Sequence, residues 1–132
     1  MKNFSEYKRL FLQEAEEILQ ELNKNLLLFE KDSKNEAVLS TIFRHIHTLK
    51  GMAGSMNFQS IANLSHKMED VFDQLKKGKI SQRDEVVDLL FTSLDHLELL
   101  IREVEEKNEE LSDITSLLSA LDNLVLKSEK IE

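Results

Sequence analysis

The chain has 132 residues, no cysteine, no proline and three glycines, with 41% apolar and 32% charged residues and a formal net charge of −8. That length fits one domain, residues 1–132, with a core of its own, and the abundance of Leu, Glu and Lys predicts an all-α fold. The composition excludes disulfides, thiol catalysis and cysteine-based zinc sites, and it argues against nucleic acid or anionic membrane as partners, which need basic patches.

Apolar spacing divides the chain into five helices joined by short polar breaks. The first runs from about Ser5 to Glu30 with Phe11, Ala15, Ile18, Leu22 and Leu26 on one stripe, and Asn3 or Ser5 can cap it. The second runs from about Asn35 to Ser55, with Leu39, Ile42, Ile46, Leu49, Ala53 and Met56 apolar at helical steps. Asn57 ends it, because asparagine tolerates a left-handed backbone nearly as glycine does. The third runs from Gln59 to Lys76, turning Ile61, Ser65, Met68, Phe72 and Leu75 inward, and Gly78 closes it. Ser81, with Asp84 as an approximate capping box, opens the fourth, which continues through Val87, Leu90, Leu94, Leu97, Ile101 and Val104. Asp113 caps a fifth segment carrying Ile114, Leu117, Leu118, Leu121 and Leu124, and the residues from Lys127 to Glu132 are expected to fray. Connections this short imply antiparallel neighbours: an up-down four-helix bundle with an additional C-terminal helix on one side. No apolar run spans a membrane and no signal-peptide pattern opens the chain, so the expected location is cytoplasmic.

The stretch I-H-T-L-K-G-M-A-G-S-M-N-F, Ile46 to Phe58, carries the most information. Gly51 and Gly54 fall inside a helix, where each is worse than alanine by about 1 kcal/mol. Measured from the core stripe, His47 lies at roughly 140° toward solvent, with Lys50 near about 80° and the glycines beside it. The spot favours clearance over helix stability, which suits the approach of a large partner to His47. On the third helix the same arithmetic puts Glu69 at roughly 80° and His66 at roughly 140°. His47 lies ten residues before Asn57, while His66 and Glu69 lie nine and twelve after it, so a hairpin brings all three to similar height. The hand of the bundle, which the sequence leaves open, decides whether these faces share one groove. If they do, Glu69 can accept a hydrogen bond from His47 Nδ1–H, which leaves Nε2 bare and nucleophilic.

H-T-L-K-G-M-A-G-S-M-N-F followed by L-S-H-K-M-E-D resembles the histidine phosphotransfer (HPt) domain, specifically the N-terminal domain of CheA-type chemotaxis histidine kinases. The resemblance covers essentially the whole chain. It implies that His47 is phosphorylated on Nε2, that Lys50 helps neutralise the phosphoryl oxygens and that Gly51 keeps the approach open. Glu69 would bond Nδ1, and His66 would belong to a supporting polar network. Many relatives carry glycine where this chain has Asn57, which bears on turn geometry. The implied partners are the ATP-binding domain of a CheA-like kinase, which supplies the phosphoryl group, and CheY-like or CheB-like response regulators, whose aspartate takes it. ATP and Mg²⁺ would belong to those partners. The chain alone would be a monomeric phosphoacceptor with no cofactor or metal and no enzymatic activity, since it has no phosphate loop and no compact metal-carboxylate signature. The CheA-like detail favours a piece of a larger kinase over a free-standing carrier.

Other features take plainer readings. His45 lies on a different face from His47, and His96 sits on a segment without partners. Met52, Met56 and Met68 are read as core and rim. The acidic runs Glu14–Glu17 and Glu105–Glu110 are read as solvated faces. Two alternatives stand beside phosphotransfer: a metal-binding bundle using His47, His66 and Glu69, and a structural helical adaptor, for which the interior glycines would be an unexplained loss.

Overall fold

The computed structural model describes residues 4–80 and 84–130, with side chains through Lys127. Five helices follow in order: α1 (Phe4–Lys31), α2 (Glu36–Ser55), α3 (Gln59–Lys76), α4 (Asp84–Lys107) and α5 (Thr115–Lys130). The first four form a ring in which α1 touches α2 and α4, and α3 touches α2 and α4. The fifth packs on α3. The core is the sum of their apolar stripes, from Phe11, Ala15 and Leu22 of α1 to Ile46, Leu49, Phe72, Leu94 and Leu97. Ring contacts fix the alignment of α1 within the bundle: Phe11 meets Phe58 at one end and Phe29 meets Phe72 near the other. These are the all-α class and the bundle arrangement that the spacing predicts, and among the described residues no helix is long and apolar enough to cross a membrane.

Local chemistry explains the boundaries that matter for the site. Asn35 caps α2, its side-chain oxygen accepting Val38 N–H at 3.1 Å. The helix ends as expected at Asn57, which takes φ 67°. Asn57 N–H returns to Gly54 O and Phe58 N–H to Ala53 O, a Schellman closure that turns the chain sharply into α3. Gly78, at φ 72°, closes α3 in the same way, with Lys79 N–H on Gln74 O. The turn at Asn57 holds α2 and α3 as an antiparallel hairpin.

Several expectations change. Helix α1 already includes Ser5, so Ser5 is not its cap, and Asn3 lies outside the described residues. The cap expected at Ser81 also falls outside them. Helix α5 continues through Lys130, past the point where fraying was expected, with residues 131–132 outside the description. The acidic run before α5 is not simply a solvated face. Glu110 accepts Ser60 N–H at 3.1 Å and Ile61 N–H at 2.6 Å, so its carboxylate caps the start of α3. Helix α3 needs that help because its own N-cap residue, Phe58, has no side-chain acceptor. Ile114, whose carbonyl accepts Leu118 N–H, holds the cap position of α5. Asp113, expected there, lies one residue earlier and accepts from Thr115 N–H and Oγ1–H.

Candidate functional site

The α2–α3 hairpin decides the question that the sequence leaves open: the two polar faces share one groove. His47 stands on α2 with its side chain 63% exposed, and Glu69 rises from α3 with only 11% of its side chain exposed. Glu69 Oε2 lies 2.5 Å from His47 Nδ1. Lys50, one turn along α2, donates from Nζ to the other carboxylate oxygen, Oε1, at 2.7 Å. One carboxylate thus bridges the histidine and the lysine.

Electrostatics then assign the proton. Burial pushes the Glu69 carboxyl upward, but the hydrogen bonds from Lys50 and His47 and their charges outweigh it, and the group sits below its ordinary 4.5. An ionised carboxylate only accepts, so Nδ1 carries the hydrogen, and in the neutral ring Nε2 is then the nitrogen with the lone pair. A neutral imidazole in this tautomer is a nucleophile with one open nitrogen.

The surroundings leave that nitrogen accessible. A Cβ added at Gly51 or at Gly54 would meet nothing within 4 Å. Neither glycine is therefore required by packing within the chain, and both keep the face beside His47 low.

The other candidate residues separate from this group. His66 turns Nε2 toward Asp70 Oδ1 at 3.8 Å, beyond hydrogen-bond distance, and no hydrogen bond among the described residues ties it to Glu69, Lys50 or His47. Among the described residues no group of three or more His, Cys, Asp and Glu could hold a metal. His45 lines a separate groove between α1 and α2, with Glu14, Glu17 and Arg44, and His96 places Nδ1 2.9 Å from Thr92 O. Met68 is buried, while Met52 and Met56 pack partly buried against the core.

Two residues beside the site escaped the sequence reading. The Phe43 ring lies nearly parallel to the His47 imidazole, with 6.4 Å between centroids and 9° between planes. Lys76, from the last turn of α3, places Nζ 4.9 Å from the Phe43 centroid. The signal for Phe43 was its position four residues before His47, which puts it on the same helical face. Lys76 had no local signal, because it meets Phe43 only through the hairpin.

The result is a helical bundle that holds one imidazole in solvent, with a carboxylate at its Nδ1 and two glycines beside it. Comparison with known proteins places the chain in a family. The Hpt domain family model matches residues 6–126, and the chain belongs to that family. The "Chemotaxis protein CheA" of Listeria monocytogenes is 40% identical over 116 residues, covering 88% of this chain and 19% of the relative. The chain therefore spans about a fifth of that relative's length. The solution structure of the histidine phosphotransfer domain of CheA superposes with a TM-score of 0.82 at 30% identity, covering 89% of this chain and 90% of that one. The phosphorylated P1 domain of CheA3 from R. sphaeroides, solved in complex with CheY6, shares the fold with a TM-score of 0.79 at 20% identity, covering 96% and 98%.

Proposed function

We propose that this chain is the phosphoacceptor domain of a chemotaxis-type two-component relay, and that His47 Nε2 carries the phosphoryl group. The observation that carries this reading is the Glu69 carboxylate on His47 Nδ1. In the forward step the Nε2 lone pair forms a bond to the γ-phosphorus of ATP, and the bond to the β–γ bridging oxygen breaks, releasing ADP. Nε2 has no proton to lose. The ring instead acquires positive charge while Nδ1–H stays in place, and Glu69 stands where that charge develops. In the onward step the N–P bond breaks toward an aspartate oxygen, and the ring returns to neutral imidazole with the same proton on Nδ1.

Lys50 fits a second role. It pairs with Glu69 in the resting state and lies one turn from His47, so it is within reach of the phosphoryl oxygens once they arrive. Gly51 keeps their approach open. His66 has no direct part in this reading. The donor is the ATP-binding domain of a CheA-like kinase, and the acceptors are CheY-like and CheB-like regulators. The homology to CheA of Listeria monocytogenes supports the kinase donor, and the CheY6 complex of the R. sphaeroides protein supports a CheY-like acceptor. ATP and Mg²⁺ belong to them, and the chain, one cytoplasmic and monomeric domain over residues 1–132, performs no catalysis alone. The metal alternative weakens because among the described residues His47, His66 and Glu69 do not form a group that could hold a metal ion.

The test is incubation with a CheA-type kinase core, ATP and Mg²⁺, followed by mass-spectrometric site mapping. Acid-labile, alkali-stable label should sit on His47 and disappear in His47→Gln with helical content native. Label persisting on that variant would defeat the assignment.

A further inference from the structure

We propose that Phe43 is a positioning residue for phosphoryl transfer: its ring narrows the range of planes that the Glu69 hydrogen bond leaves to the His47 imidazole. The inference rests on His47 being the phosphoacceptor and adds what aims it.

The argument starts from the lone pair. On Nε2 it lies in the plane of the imidazole, so the line along which phosphorus must approach turns with the ring. Nδ1 lies off the Cβ–Cγ axis, so its hydrogen bond to Glu69 limits rotation about that bond, but a single hydrogen bond tolerates bending and the torsion has broad wells in histidine. With 63% of the side chain in solvent, little else restrains that rotation. The second restraint is the Phe43 ring, 9° from parallel, with centroids 6.4 Å apart, within the usual range for aromatic pairs. Phe43 is itself held, packed partly buried on the core, with the Lys76 ammonium 4.9 Å from its centroid. Lys76 and Glu69 both belong to α3. That helix therefore fixes the imidazole twice, directly at Nδ1 and indirectly through the Phe43 ring. An aliphatic side chain would fill the space without offering a flat face.

The transfer itself is unchanged: the Nε2–P bond forms, the β–γ bridging P–O bond of ATP breaks, and ADP leaves. Phe43 acts only on the fraction of encounters in which the lone pair points along that line. A large partner fixes the direction of its ATP, so orientation matters there; a small free donor chooses its own approach.

The experiment measures phosphorylation rate against chain concentration with a CheA-type kinase core, ATP and Mg²⁺, and in parallel with phosphoramidate as a small donor. Phe43→Leu should lower kcat about tenfold, inside the range produced by ångström-scale misplacement of reacting groups. KM and the phosphoramidate rate should stay at parental values. Phe43→Tyr should restore kcat, and Lys76→Met should lower it about twofold, as expected for loss of an exposed cation–π contact. Parental kcat in a folded Phe43→Leu would overturn the proposal. So would a loss confined to KM, which marks a docking contact, or an equal loss with phosphoramidate, which marks altered ring reactivity. If Phe43→Leu does not fold, Lys76→Met decides, and parental kcat in it overturns the proposal. A parent chain that the kinase leaves unlabelled at His47 would sink the acceptor role itself, a result distinct from all of these.

Discussion

The Glu69 carboxylate, carried by α3 and mostly buried, grips Nδ1 of the exposed His47 on α2 at 2.5 Å. One helix thereby prepares the ring that its neighbour displays. Glu69→Gln keeps the shape and removes the charge. The amide oxygen can still accept from Nδ1–H, but it cannot balance the positive charge on a phosphorylated ring. A charge-assisted hydrogen bond is worth about 1.5–3 kcal/mol, so phosphorylation should slow about tenfold to a hundredfold. Nitrogen chemical shifts of the His47 ring should show the Nδ1–H tautomer losing population. A variant that keeps both the tautomer and the rate would remove the carboxylate from the mechanism.

The glycines give a prediction with opposite signs in two assays. Nothing lies within 4 Å of a Cβ built at Gly51, so Gly51→Ala should raise stability by about 1 kcal/mol through helix propensity alone. Gly51→Leu should also fold, yet crowd the approach to Nε2 and slow transfer from the kinase. Thermal melts and transfer kinetics on the same samples check both halves. Parental kinetics in Gly51→Leu would refute clearance as the reason for that glycine.

The five helices and the matching heights of His47 and Glu69 were legible in the sequence because both depend on periodicity and on one short turn. Ile42, Ile46 and Leu49 define the buried face of α2, and a three-residue connection at 56–58 leaves little freedom in the hairpin register. What the pattern could not supply was the hand of the bundle, on which the shared groove depends. It also could not supply partners distant along the chain. Glu110 reaches α3 across 49 and 50 residues, and Lys76 meets Phe43 only once the helices are packed. His66 shows what height along a helix leaves open. Its height along α3 matches that of His47, but its side chain faces Asp70, and height alone does not make contact.

Acid should loosen the site before the rest of the bundle. Glu69 has its carboxyl below the ordinary 4.5 because the Lys50 and His47 contacts outweigh burial. A depressed folded pKa stabilises fully above the unfolded value and is lost as pH falls through the folded one. Glu103 shifts in the same direction: burial raises it, but donation from Ser112 Oγ and from the Leu111 and Ser112 amides prevails. Stability should therefore be flat above pH 4.5 with respect to these groups and decline below it. Chemical denaturation across that window checks this, and Glu69→Gln should show a shallower decline. An identical slope in the two proteins would mean that Glu69 contributes nothing to acid sensitivity.

The long-range cap on α3 separates stability from transfer. Glu110 takes the amides of Ser60 and Ile61, the second and third residues of α3, in place of the cap that Phe58 cannot provide. Its removal in Glu110→Ala should cost about 1–2 kcal/mol, the usual range for a lost N-cap. Glu110→Gln, which can still accept one amide, should cost less. Amide exchange at Ser60 and Ile61 should quicken in both. Glu69 sits more than two turns further along α3, beyond the reach of fraying at the first turn, so the rate of transfer to His47 should stay at the parental value at saturation. Unaltered exchange at those two amides would show that the carboxylate does not cap the helix in solution. A transfer rate that falls with stability would show that the start of α3 and the histidine site move as one unit.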